Sequence, residues 1–134
     1  MHVFDLPSTA VADRVSLVRT LEPGQRVTYA ALEGPGCIRH IWVTAGRENL
    51  AGRGVLIRIY FDDESEPYVE APLGDFFGVM HGLPWYPLNT QYLSVKAESG
   101  YNCYFPMPFA KSAQVEFEGG NQSYPIYLMV DWHR

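Results

Sequence analysis

Apolar residues in this chain recur at every second position in short runs, and each run stops at a Gly, Pro or Asp turn. Ala113, Val115 and Phe117 alternate with Gln114, Glu116 and Glu118, and Tyr124, Ile126, Leu128, Val130 and Trp132 close the chain in the same way. Val55, Ile57, Ile59 and Phe61 share one side, with Arg58 and Tyr60 opposite. Shorter alternations set Val27, Tyr29 and Ala31 against Thr28 and Ala30, and Leu93 and Val95 against Ser94 and Lys96. A strand turns successive side chains to opposite faces, so this period of two encodes half-buried strands. Across Cys37–Thr44 it puts Ile38, His40, Trp42 and Thr44 on one face and Cys37, Arg39, Ile41 and Val43 on the other. Pro23-Gly24, Gly34-Pro35-Gly36, Asp62-Asp63 and Gly119-Gly120-Asn121 separate the runs. Gly34 and Gly36 read as a tight strand entry, because glycine accepts positive φ. Only Ser8 to Leu21 offers material for a helical turn.

Roughly seven to nine short strands with few helices describe a β-sandwich or a jelly roll. Ten prolines and twelve glycines oppose long helices. The chain has 134 residues, 47% of them hydrophobic and 19% charged, enough apolar content for one packed domain across residues 1–134. Ten basic against fifteen acidic residues leave a net charge of −5. No basic stripe suits nucleic acid, and no polybasic run or long apolar stretch suits a membrane. The first residues carry acids and no signal-peptide core, so the expected location is the cytoplasm. Cys37 and Cys103 sit beside aromatics and read as small buried hydrophobes. The histidines at 2, 40, 81 and 133 lack metal-site spacing, and no motif calls for a cofactor.

Three stretches exceed what alternation explains. In Glu33–Trp42, His40 and Trp42 are two residues apart: an aromatic platform with a polar neighbour, suited to a sugar ring, or a core layer with one satisfied histidine. Between Asp62 and Asp75 lie six carboxylates. Asp62 to Glu66 has the chemistry of a solvated hairpin tip. Glu70 and Asp75 stand among prolines, Gly74, Phe76 and Phe77. A carboxylate beside aromatic rings is partly desolvated, which suits acid or nucleophile chemistry, though a turn-capping Asp would look the same. In Gly100–Lys111, Pro106 and Pro108 force a bend or an edge. There Tyr101, Tyr104, Phe105 and Phe109 offer stacking surface, and Asn102 offers a donor and an acceptor. This segment reads as a ligand rim or as the wall of an oligomer contact.

Read in order, EGPGCIRHIWVT, then RIYFDDE with PYVEAPLGDFFG, then YNCYFPMPFAKSA resemble one family across about residues 20–131. That family is domain of unknown function 2961, partly assigned as glycoside hydrolase family 172. The resemblance implies a jelly roll. Longer members carry two rolls per subunit, form trimers with a pseudo-six-fold ring, and act on fructofuranosyl or arabinofuranosyl linkages by a retaining mechanism with two glutamates. This chain looks like the first roll alone, a single all-β jelly-roll β-sandwich. The catalytic glutamates of longer members lie mainly in the second roll, around a Gly-Thr-Gly-Thr-Glu-Asp-Tyr-Phe motif. The comparable place here reads Ala71 to Phe77, with Asp75 at the motif's Asp and Gly74 at its Glu.

Two functions follow from this reading. The first is a furanosidase-like protein with Glu70 and Asp75 as nucleophile and acid/base, within one chain or across an interface, and His40, Trp42, Phe76, Phe77, Asn102 and Tyr104 around the sugar. Retaining chemistry needs the carboxyls about 5–5.5 Å apart. The second is a non-catalytic sugar-binding or structural module that self-assembles. Six unfused rolls could rebuild the ring that three fused pairs form, so a homo-hexamer is expected, with a trimer next. Leu83–Pro87 and Tyr104–Phe109 supply apolar contact material.

Overall fold

A computed structural model describes residues 5–45, 53–82, 86–96 and 100–134. Strands dominate it: β1 (Ala12–Leu21), β2 (Arg26–Glu33), β3 (Gly36–Ala45), β4 (Val55–Phe61), β5 (Val69–Pro72), β6 (Leu88–Asn89), β7 (Leu93–Lys96), β8 (Gly100–Cys103), β9 (Met107–Phe109), β10 (Ser112–Gly119) and β11 (Tyr124–His133). A single helical turn, α1 (Leu73–Phe76), follows β5. The large sheet runs β1-β11-β3-β8-β7-β6 with β9 also on β3, and the small sheet runs β2-β10-β4-β5. All pairings are antiparallel. The two sheets pack face to face as the sandwich of a jelly roll.

The alternating residues build the core. Ala113, Val115 and Phe117 of β10 and Ile57 and Ile59 of β4 are fully buried against Ile41 and Val43 of β3 and Ile126, Leu128 and Val130 of β11. Each large side chain withdrawn from water in this way contributes about 1.5–3 kcal/mol. The Tyr29 ring meets Phe117 edge-on at 4.9 Å, and its hydroxyl donates to the Arg19 carbonyl at 3.0 Å, tying β2 to β1. Burial pushes the Tyr29 hydroxyl up to about 12.

Several expectations are corrected here. Ala12–Leu21 is a strand on the edge of the large sheet, because ten consecutive residues pair with β11. Among the described residues, two β-bulges break strict alternation. In β2 the register steps from Ala30 to Thr28, so Tyr29 and Ala30 are both buried and Ala31 faces water. In β3 it steps from His40 to Ile38 and passes over Arg39, so Ile38 joins Ile41 in the core while His40, Trp42 and Thr44 look outward. A bulge places two residues opposite one and re-aims the side chains around it. Gly34 and Gly36 also serve differently from expectation, since neither has positive φ. Their reason is close approach: a Cβ on Gly36 would lie 2.7 Å from the His133 carbonyl and 2.8 Å from the Phe109 ring.

Other readings agree with the fold. Asp62 and Asp63 form a hairpin tip at φ 57° and 62°, and Asp62 Oδ1 accepts from the Ala110 and Lys111 amides. These bonds hold the Asp62 carboxyl below its usual range. The chain bends at Tyr104–Pro106, leaving β8 and resuming on β3 as β9. Cys37 and Cys103 are buried free thiols; burial pushes Cys103 up to about 11 and Cys37 upward too, so both stay protonated at neutral pH.

Candidate functional site

The outer face of the large sheet collects four of the predicted residues. The β3 bulge points His40 and Trp42 outward, and the Trp42–Asn102 and Asp131–His40 pairings set their neighbours beside them. The His40 and Tyr104 rings stack at 4.5 Å with planes 5° apart. Tyr104 is held there because its amide donates to the Tyr92 carbonyl at 2.7 Å, while Phe105 stacks on Tyr92 at 4.6 Å. Trp42 lies over Gly100, where a Cβ would come within 2.8 Å of the indole nitrogen. Gly100 also has φ +127°, a region that favours glycine.

A row of polar groups crosses five strands beneath these rings. Arg14 of β1 donates to Asp131 of β11 through Nε at 2.5 Å and Nη2 at 3.2 Å. Asp131 Oδ2 lies 3.0 Å from His40 Nδ1, and His40 Nε2 lies 2.9 Å from Asn102 Oδ1. Asn102 then donates from Nδ2 to the Ser94 carbonyl of β7 at 3.2 Å. Arg14 foremost, and His40 after it, hold the Asp131 carboxyl below the usual carboxylate range, against some desolvation. The His40 ring is thereby fixed at both nitrogens and on one face. The result is a shelf of pre-set rings and amide groups, half open to water. Pre-set groups of this kind recognise a ligand with little ordering cost.

The other predicted residues lie elsewhere. Phe77 is fully buried and stacks on Tyr101 at 5.2 Å, inside the core. Phe76 packs edge-on against Phe77 at 4.8 Å. Glu70 projects from β5 on the small sheet, where Arg58 Nε donates to it at 2.6 Å. Asp75 in α1 is bound by Arg53 at 3.1 Å. Each carboxylate is thus engaged by a guanidinium group, Glu70 on the small sheet and Asp75 in the helical turn that follows β5. Of the expected contact material, Leu83, Pro84 and Trp85 lie outside the described residues, whereas Tyr104 and Phe105 are exposed.

Sequence reading missed two sets of partners. Asp131 and Arg14 were visible only as polar positions in alternating runs. On the small sheet, Arg58 gathers Glu70, Glu116 at 3.3 Å and Glu118 at 2.5 Å, and Arg26 adds a second bond to Glu116 at 3.0 Å. Glu116 and Glu118 gave no signal beyond the half-exposed face of β10. Among the described residues, no three His, Cys, Asp or Glu side chains converge as a metal set would. Among the described residues, no helix is long and apolar enough to cross a membrane.

Fold and site together define an all-β jelly-roll protein with an aromatic and amide shelf on the outside of its larger sheet. The family is more particular. Residues 13–124 match the model of the GH172 domain-like family, and the chain belongs to that family, a carbohydrate-active one. No curated protein matches the chain.

Proposed function

We propose that the chain is a sugar-recognising jelly-roll module of the GH172 type, which binds furanoside rings on its outer shelf. His40, Trp42, Asn102 and Tyr104 are the binding residues in this reading. The observation that carries it is the ring of His40, bracketed by Asp131 and Asn102 and stacked flat on Tyr104 beside Trp42. The electron-rich face of an aromatic ring suits the C–H face of a sugar, and the second amide hydrogen of Asn102 suits its hydroxyls. Self-assembly belongs to the same proposal: the module forms a homo-oligomer, a hexamer before a trimer, supported by the exposed Phe105 ring.

The furanosidase reading, with Glu70 as nucleophile and Asp75 as acid/base, has less support from the geometry. Both carboxylates are occupied by arginines, and neither adjoins the shelf. One set of experiments separates the two readings. Methyl arabinofuranoside and fructo-oligosaccharides are titrated by NMR against the wild type, Trp42→Ala, Tyr104→Ala and Glu70→Gln, and aryl furanosides are assayed for hydrolysis. Binding that weakens about tenfold in the first two variants and is unchanged in Glu70→Gln is the expected result. Turnover abolished by Glu70→Gln or Asp75→Asn would replace the module with the enzyme.

A further inference from the structure

Most open edges of the two sheets are blunted. β6 has two residues, β9 has three with Pro108 among them, and β5 has four and ends at Pro72. β2 carries a bulge between Thr28 and Ala30. Short strands, prolines and bulges keep a sheet edge from pairing with another chain. β1 has none of these: ten residues run in unbroken register against β11, without Pro, Gly or Lys.

The pairing pattern fixes which backbone groups β1 leaves open. Val11 and Arg134 exchange both of their backbone bonds, at 2.9 and 3.1 Å, one step before Ala12 meets His133. Such pairs alternate along an antiparallel ladder, so the odd-numbered residues of β1 bond to β11. The N–H and C=O groups of Ala12, Arg14, Ser16, Val18 and Thr20 therefore face away from the sheet, and all five residues are exposed. Among the described residues, their carbonyls accept no hydrogen bond. Of their amides, only that of Arg14 is met, by the Asp13 carboxylate at 2.8 Å.

The side chains of β1 complement themselves in one antiparallel register. With Ser16 opposite Ser16 of a second copy, across a two-fold axis normal to the sheet, all five open residues find partners. Arg14 then faces Val18, and Ala12 faces Thr20. In the intervening pairs, where side chains approach most closely, Asp13 faces Arg19 and Val15 faces Leu17. Val15 and Leu17 are partly buried against the core, and pairing continues that layer across the axis. Among the described residues Arg19 makes no ion pair, and Asp13 meets Arg134 at 3.6 Å. On pairing, Asp13 turns to Arg19 of the second copy and releases the Arg14 amide to the Val18 carbonyl. A slip of two residues either way sets Asp13 and Arg19 against Leu17 and Val11, or against Leu21 and Val15, so charge selects this register.

We infer that β1 is the contact surface for a second copy of this chain, two β1 strands pairing antiparallel about Ser16 to join two large sheets into one. The contact is two-fold and separate from the shelf, whereas a ring closes through heterologous contacts, so either can fail without the other. Sedimentation of the whole chain at micromolar concentration shows an even number of copies. Ser16→Pro removes an amide that faces away from β11, so the fold persists by circular dichroism while the assembled mass falls by half. Arg19→Asp does the same, and adding Asp13→Arg to it restores the assembly. Should Ser16→Pro fail to fold, cysteine cross-linking decides, because Cys37 and Cys103 are buried. Ser16→Cys forms a disulfide-linked dimer on mild oxidation, its Cα atoms lying about 5.5 Å apart across the axis. Val18→Cys, roughly 14 Å from its mate, does not. A monomer or an odd-numbered assembly overturns the inference. So does a mass unchanged by Ser16→Pro in a folded protein, or a cross-link through Val18→Cys and none through Ser16→Cys.

Discussion

Asp131→Asn tests whether the polar row beneath the shelf is a structural device or a surface accident. The substitution keeps the volume and removes the charge that faces Arg14 and His40. Arg14 is largely exposed, so water and salt screen most of that pair. The His40 contact counts for more, since that side chain is 23% exposed and Asp131 is 30% exposed. Hydrogen bonds to charged groups contribute about 1.5–3 kcal/mol when well shielded, and partial exposure lowers this to about 1–2 kcal/mol for Asp131 as a whole. At this chain length that corresponds to a fall in Tm of about 3–8 °C at neutral pH. The pH dependence follows from the folded-state Asp131 carboxyl lying below its unfolded value. Its contribution is therefore complete above the unfolded carboxylate range, near pH 4, and is lost as pH falls through the lower folded value. Urea unfolding of wild type and Asp131→Asn from pH 7 to pH 2 should show two curves that are parallel at neutral pH and converge in acid. A constant gap down to pH 2, or no gap at pH 7, would refute the reasoning.

Two further outcomes follow from packing and charge. Gly36→Ala should destabilise the fold by about 1–3 kcal/mol, because the added methyl meets backbone at 2.7 Å and two aromatic rings below 3 Å; chemical denaturation measures this, and a neutral result would show that β3 can shift away from β11. Arg58→Met should cost about 2–4 kcal/mol at pH 7, as it leaves Glu116 and Glu118 side by side with only Arg26 between them; adding Glu118→Gln should restore part of the loss in a double-mutant cycle, and strict additivity would dismiss the cluster as uncoupled.

Much of this molecule is legible in its alternation. The runs at Ala113–Phe117, Val55–Ile59 and Tyr124–Trp132 are core strands as written, because a pleated strand with one buried face admits no other arrangement of large apolar side chains. The turn at Asp62-Asp63 and the bend at Pro106 were equally legible, since both rest on local backbone preferences. The stretches at residues 33–44, 58–64 with 67–78, and 101–113 together carried the family resemblance, and the family match over residues 13–124 agrees with it. Ala12–Leu21 was not legible as a strand. It lies at a sheet edge with a mostly exposed burial pattern, so its conformation comes from its hydrogen bonds to β11 and not from its own periodicity.

Tertiary pairing alone decided which residues meet. The bulges at Tyr29 and Arg39 are properties of two strands in register, and a single strand's pattern does not contain them; each reverses the face of the residues that follow. For that reason Ile38 entered the core, Arg39 reached His133, and His40 came to rest between Asp131 and Asn102, residues 91 and 62 positions away along the chain. The separation of Glu70 and Asp75 from the shelf has the same origin. Residue type and spacing name the carboxylates, but the sheet that receives β5 determines which guanidinium group lies within a hydrogen bond of each.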